Sequence, residues 1–257
     1  MLILLPPSEG KTAPRRGTPM DPASLSFPAL HDARAEVLDA LVSLCTSDRA
    51  VAAATLGLGT TQADEVDRNA LLRSAPAARA DRVYSGVLYE ALDLPSLDGA
   101  AKRRATQWVA IASGLFGLVR PADRIPAYRL SGDAVLPGLG TVAGVWREAL
   151  GPEVTDLVGD GLLVDLRSGM YAAFWRPAGL ARVATVRVLH EVAGRRQVVS
   201  HFNKATKGRI VRALLQDGSA AASPARFAEQ LRDLGWTVEA GPAERAGTRL
   251  DVVVAEL

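Results

Sequence analysis

An apolar burst, Met1 to Leu5, runs straight into Pro6-Pro7-Ser8-Glu9-Gly10-Lys11, which places a hydroxyl, a carboxylate and an ammonium immediately after a strand-like segment. The C-terminal edge of a strand is where ligands gather in sheets flanked by helices. Gly10 permits close backbone approach, and Lys11 can hold a phosphate as a point charge. The Gly-x4-Gly-Lys-Ser/Thr spacing of a phosphate loop is absent, so this segment lends no support to nucleoside triphosphate binding. Its plain structural alternative is a Ser–Glu turn with a surface lysine.

Only four of the 30 cationic residues are lysines: Lys11, Lys102, Lys204 and Lys207. Lysine differs from arginine in having a compact ammonium whose pKa drops on burial, which suits a base, a Schiff-base nucleophile or a tight phosphate contact. In HFNKATKGRIVRALL, Asn203 is expected to cap a helix running to Leu215. Lys204 and Lys207 then share a face beside its N-terminus, where free N–H groups and the dipole attract anions.

Two further segments carry candidates. In SGLFGLVRPADRIPAYRL, from Ser113 to Leu130, a long loop offers Arg120, Arg124 and Arg129 as a bidentate anion clamp, with Tyr128 as a stacking ring and Asp123 to orient an arginine. In DLRSGMYAAFW, Ser168 is a candidate N-cap and Tyr171 a candidate site residue, while Phe174 and Trp175 read as core. A third pattern, Leu56 to Ala63 (LGLGTTQA), matches the h-G-h-G-x-x-x-A form of a helix–hairpin–helix, in which Gly57 and Gly59 free backbone N–H groups for a DNA phosphate. Asp64, Glu65 and Asp67 follow it and oppose a polyanion, so a plain interhelical turn competes with that reading.

Other chemistries find less support. His31, His190 and His201 are far apart and form no HxH, HxxxH or HExxH, so no metal site is expected from local spacing. No Gly-x-Ser-x-Gly elbow marks a serine hydrolase. The single cysteine, Cys45, lies in an amphipathic segment, reads as core and fits a reducing cytoplasm. No cofactor is called for.

These candidates need elements to position them. Expected strands are Met1–Leu5, Trp108–Ala112, Leu162–Leu166, Ala181–Val192, Gln197–His201, Thr237–Ala240 and Arg249–Val254. Helices are expected over Ala33–Cys45, Ala50–Leu56, Thr60/Thr61 to Leu72, Ser96–Gln107, Val142–Leu150, Gly169–Phe174, Asn203–Leu215 and Pro224–Leu234, with Tyr84–Leu92 a loop entering a helix. Thr12 to Pro28 is an expected surface excursion. The alternation predicts an α+β fold: one compact domain, 1–257, with a mixed sheet flanked by helices and a helical insertion at roughly 30–107.

The 257 residues are 48% hydrophobic and 23% charged, enough for a sizeable core and too apolar for a disordered chain. No apolar run reaches the roughly 18 residues of a membrane span, and the N-terminal burst is too short for a secretory leader, so a cytoplasmic location is expected. The net charge of +2 hides a polarity: Lys102 to Arg212 holds 17 Lys+Arg against 8 Asp+Glu, and the remainder holds 13 against 20. Such asymmetry points to a polyanion or phosphate-bearing partner for the middle segment, with solvated surface arginines as the plain alternative.

The blocks PPSEGK, YSGVLYEAL, SGLFGLVRPADRIPAYRL, DLRSGMYAAFW and HFNKATKGRIVRALL, in this order across nearly the whole chain, resemble the peroxide-stress protein YaaA family. The resemblance implies a single-domain α+β fold described as cantaloupe-like, a positively charged cleft, and a helix–hairpin–helix associated with double-stranded DNA. It also implies a cytosolic role in limiting damage, including iron-dependent DNA damage, during hydrogen peroxide stress, and no assigned reaction. Family-like positions here are Ser8, Glu9, Lys11, Tyr84, Gly86, Ser113, Gly114, Arg120, Pro121, Asp123, Tyr128, Arg129, Ser168, Tyr171, Lys204, Lys207, Gly208 and Arg209. The acid-flanked hairpin is a departure.

Two functional expectations follow. In the first, Ser8, Lys11, Ser113, Arg120, Tyr128, Arg129, Ser168, Tyr171, Lys204, Lys207 and Arg209 line a basic cleft that binds double-stranded DNA by its phosphates, without reading sequence and with steep salt dependence. In the second, the protein is an enzyme acting on a nucleotide, nucleobase or damaged base, with Lys11 or Lys204 as base or nucleophile and Glu9 as proton-transfer partner. A third reading, iron handling, has little support from the His/Cys inventory. The oligomeric state stays open.

Overall fold

The computed structural model describes residues 1–177, 180–192, 194–244 and 246–255. Its central sheet is built from β1 (Leu2–Leu5), β2 (Val109–Ser113), β3 (Gly117–Val119), β4 (Leu163–Asp165), β5 (Val183–Val192), β6 (Arg195–Gln197), β7 (Thr237–Glu244) and β8 (Gly247–Val254). The order across the sheet is β7-β8-β5-β4-β1-β2-β3, with β6 folded back on the end of β5. Strands β8, β5, β4, β1 and β2 are mutually parallel, whereas β7 and β3 close the two edges as antiparallel hairpin partners. This is the expected mixed sheet with helices.

Strands β1 and β2 read as unbroken apolar runs because both faces of each are covered, and each of their residues is buried. Between them the chain makes α1 (His31–Ser47), α2 (Arg49–Thr55), α3 (Asp64–Ala70), α4 (Ala80–Val83), α5 (Val87–Leu92) and α6 (Gly99–Trp108). After β3 come α7 (Val142–Val158), α8 (Gly169–Ala172) behind β4, α9 (Ser200–Asp217) and α10 (Pro224–Asp233). Asp48, Asp98 and Ser223 cap α2, α6 and α10 with side-chain oxygens. Gly208 lets α9 press against α5, since a Cβ there would run into the Leu88 carbonyl and the Ala91 side chain.

Three expectations are corrected. Of the strand expected at Gln197–His201 only Gln197 lies in one, as the last residue of β6, and α9 starts at Ser200 with Val199 at its N-cap and no side-chain cap. Valines 198 and 199 suggested a strand, but the β5–β6 hairpin pairs only three residues before the chain turns away. Asn203 therefore lies inside the helix, and Lys204 and Lys207 stand in its second turn, beyond the reach of the free N–H groups. The helix expected to stop at Leu150 runs on to Val158 through Pro152. Trp146, Leu150, Val154 and Val158 continue one buried stripe across the proline, and the Thr155 hydroxyl donates to the Gly151 carbonyl (2.8 Å). That burial outweighs a break costing about 3 kcal/mol. The segment expected as one long loop from Ser113 also contains β3.

Candidate functional site

Parallel strands β1, β2 and β4 deliver their C-terminal ends side by side, bringing Pro6 to Glu9, Ser113-Gly114 and Leu166 to Ser168 to one edge of the sheet. Pro6 and Pro7 end β1, and the following turn is fixed by Ser8, whose Oγ donates to the Gly10 carbonyl (2.6 Å) and accepts from the Ser85 amide (3.1 Å). An antiparallel bridge then pairs Lys11 with Tyr84.

That bridge folds the Lys11 side chain inward. Its Nζ donates to the Ser8 carbonyl (2.9 Å) and lies 4.0 Å from the Tyr128 ring centroid. Burial pulls its pKa down to about 8; Glu9 pulls upward and Arg129 downward. Beneath it, the Tyr128 hydroxyl shares hydrogen bonds with Tyr84 (3.1 Å) and Ser113 (2.7 Å), and the Ser113 Oγ accepts from the Phe116 amide (2.9 Å). Burial raises the Tyr84 pKa to about 12 and drives Tyr128 and Tyr89 well above the ordinary phenol value.

A second layer comes from β4 and α9. Asp165 and Arg167 form a buried bidentate pair, Nε to Oδ1 (2.9 Å) and Nη2 to Oδ2 (2.7 Å). Arg167 also donates to the carbonyls of Tyr171 (3.1 Å) and Trp175 (2.9 Å), which ties α8 to the end of β4. Lys207 donates to the Leu166 carbonyl (3.0 Å), and burial lowers its pKa to about 8 against the opposing pull of Asp165. Burial raises the Tyr171 pKa, with Glu9 adding to the effect.

Over these groups opens a cavity of about 730 Å³. Of the expected site residues, Ser8, Glu9, Ser168, Tyr171, Lys204 and Lys207 line it. Ser113 and Tyr128, 0% and 2% exposed, form a sealed layer next to it, and half-buried Lys11 lies against Tyr128. Arg129 reaches the rim by its ion pair with Glu9 (3.0 Å). Arg120 is not brought to the others: its guanidinium donates to the carbonyls of Gln107 (2.8 Å) and Val109 (2.9 Å), at the opposite end of β2. Arg209 is exposed on α9 and does not line the cavity. Among the described residues, no three His, Cys, Asp or Glu side chains cluster as metal ligands.

Sequence reasoning passed over Asp165, Arg167 and Tyr89. For the first two a signal existed: residues i and i+2 at a strand end share a face, which allows opposite charges there to pair. Tyr89 donates to the Pro6 carbonyl (2.7 Å), a contact across the sheet edge that no local pattern announces.

The Leu56–Ala63 turn does join two helices, with Gly57 at φ 63°. Its amides are engaged internally: Gly57 donates to Ala54 (3.1 Å), Leu58 to Ala53 (2.9 Å) and Gly59 to the Gln62 side chain (3.3 Å). Arg49 pairs with Asp67 (2.7 Å) and Arg68 with Glu65.

Comparison with known proteins adds to this geometry. The family profile described as peroxide stress protein YaaA matches residues 1–240. A UPF0246 protein of Streptomyces coelicolor is 53% identical, covering 100% of both chains. One from Corynebacterium efficiens is 42% identical over 93% of this chain and 95% of its own. An uncharacterized protein of Campylobacter jejuni is 28% identical over 82% of this chain and 83% of its own.

Proposed function

Because the chain belongs to the peroxide stress protein YaaA family, we propose that it serves in that response by taking a nucleotide or nucleobase into the cavity at the ends of β1 and β4. The observation that carries this reading is the pairing of a nucleotide-sized space, about 730 Å³, with two amines held near pKa 8 in and beside its wall. Exposed Lys204 meets a phosphate at the rim, the rings of Tyr89 and Tyr171 offer flat apolar surface to a base, and Lys207 sits deeper. At pH 7 to 8 a share of Lys207 is uncharged, which suits it to accept a proton from a bound ligand.

Calorimetric titration with AMP, GMP, adenine and guanine tests the reading. Saturable binding of at least one, weakened about ten-fold or more by Lys207→Met, is expected. Absence of binding by all four would overturn it.

A second reading is favoured by the exposed cations Lys204 and Arg209 on α9: double-stranded DNA bound by its phosphates without sequence preference, limiting iron-dependent damage. Anisotropy of a short duplex across a salt series separates the two. DNA binding predicts a slope that falls by about one to two in Lys204→Ala/Arg209→Ala, while a ligand confined to the cavity leaves the duplex unbound.

A further inference from the structure

Lys207 stands on the cavity wall without a carboxylate of its own. Among the described residues its Nζ has one hydrogen-bond partner, the Leu166 carbonyl (3.0 Å). The two carboxylates at this sheet edge are engaged by arginines: both oxygens of Asp165 accept from Arg167 (2.9 and 2.7 Å), and Glu9 pairs with Arg129 (3.0 Å). A lysine kept to balance charge would meet an acid, and one kept to grip an anion could be arginine, which this chain uses for all but four of its 30 cations. What lysine alone supplies is an amine able to shed its proton and attack carbon. Burial favours that uncharged form and brings the pKa down to about 8, yet Lys207 keeps part of its surface open and lines the cavity.

The other lysines differ. Lys11 lies behind the cavity against the Tyr128 ring, and Lys102 stands exposed on α6. Lys204 lines the same cavity three residues before Lys207, on the same face of α9, and is exposed. Residues so spaced have Cβ atoms about 5 to 6 Å apart. A rim ammonium therefore stands one helical turn from a deeper amine, a spacing matched by a five-carbon chain with a phosphate at one end and an aldehyde at the other. Leu88, Leu166 and Val186 add apolar wall, which limits the water able to hydrolyse a covalent adduct, and the exposed Ser168 hydroxyl offers a hydrogen bond to a sugar hydroxyl.

Resting on the reading of this cavity as the ligand site, we propose that Lys207 is a nucleophile that forms an imine with the free aldehyde of a pentose 5-phosphate, the sugar phosphate left when a nucleotide loses its base, while Lys204 holds the phosphate at the rim. The ammonium first sheds one proton. Its nitrogen then bonds the aldehyde carbon, and the carbonyl oxygen takes up that proton and a second one from nitrogen and leaves as water. The iminium that remains carries a single N–H, matching the single acceptor at Leu166. Nothing is oxidised or reduced in the step.

The test is to incubate the full chain at about pH 8, where a share of the amine is free, with ribose 5-phosphate and cyanoborohydride, which reduces imines and spares aldehydes, and to map the modified peptides. Lys207 is expected to be labelled about ten-fold or more faster than Lys11, Lys102 or Lys204. Ribose 5-phosphate should label it faster than ribose does, a preference lost in Lys204→Ala. Lys207→Arg should lose the adduct, and mapping on the native chain decides even where a variant does not fold. Labelling spread evenly over the four lysines, or equal labelling of Lys207 by ribose and ribose 5-phosphate, overturns the proposal, and leaves the nucleotide reading standing where AMP or a base still binds in calorimetry. A selective Lys207 adduct with no binding of AMP, GMP, adenine or guanine supports the imine and removes the nucleotide reading alone.

Discussion

Half-buried Lys11 and buried Tyr128 form a cation–ring pair, the ammonium 4.0 Å from the ring centroid, and this contact joins the N-terminal turn to the segment after β3. The same phenol holds Ser113 at the end of β2, so the ends of two parallel strands are tied through one aromatic residue. Lys11 thus lies behind the cavity, and Lys204 and Lys207 are the lysines that line it. Both ammonium groups are partly stripped of water, one against a ring and a carbonyl, the other against a carbonyl with Asp165 nearby.

This stripping fixes a pH dependence of stability. Lys11 and Lys207 titrate at about 8 when folded against 10.5 ordinarily, so between these values the unfolded chain binds more protons and stability rises with pH. Tyr84, Tyr89, Tyr128 and Tyr171 act in the opposite sense, because burial holds them protonated above the ordinary 10.0 while the unfolded phenols ionise. Urea midpoints should climb from pH 8 to a maximum at about pH 9.5 to 10 and then fall. In Lys207→Met the climb should flatten; an unchanged climb in this variant would show that Lys207 is not the group responsible.

Asp165→Asn should be among the most damaging single changes near the site. It leaves the Arg167 charge buried with only the Tyr171 and Trp175 carbonyls, a situation costing about 3 to 5 kcal/mol. It also removes the one group that raises the Lys207 pKa, so that pKa should fall further below about 8. Urea unfolding and the pH profile of amine-directed acylation at Lys207 read the two effects separately.

How much of this was written in the sequence differs by element. β1 and β2 were legible because their residues are apolar on both faces and end in proline or glycine, and α1 because Val37, Leu38, Leu41 and Cys45 keep a helical period. The helix from Val142 was expected to end at Leu150, and its continuation through Pro152 rests on a stripe of burial visible only in three dimensions. The site was half legible. The turn after β1 was found by its residue types, yet Lys11 was expected to face a phosphate and instead turns inward, since its bridge partner Tyr84 lies far along the chain. Arg120 was grouped with the other cations by composition, and β3 reverses the chain and carries it to the other end of the sheet.

Gly208 gives a test of how closely α9 and its lysine are held. A Cβ there would stand 2.9 Å from that of Ala91 and 3.0 Å from the Leu92 amide nitrogen, besides crowding the Leu88 carbonyl, so α5 and α9 must separate to admit it. Gly208→Ala should cost about 1 to 3 kcal/mol, offset in part by the better helix propensity of alanine. Because Lys207 is the adjoining residue, the shift should also weaken whatever the cavity binds. A variant destabilised in urea yet binding as the native chain does would show that the lysine is positioned from β4 rather than from the α5 contact.

The hairpin after α2 allows the DNA reading to be probed from its weakest point. Its first three amides are spent within the turn, and Asp64, Glu65 and Asp67 set negative charge in the first turn of α3. A phosphate brought to this turn would meet repulsion from all three, softened by Arg49 and Arg68, which are already paired with them. If the hairpin touches DNA, Asp64→Asn/Asp67→Asn should tighten duplex binding by several-fold at low salt, an effect that fades as salt screens the charges. If DNA is held only along α9, the double variant should bind as the native chain does, and Lys204→Ala/Arg209→Ala alone should lower the salt slope.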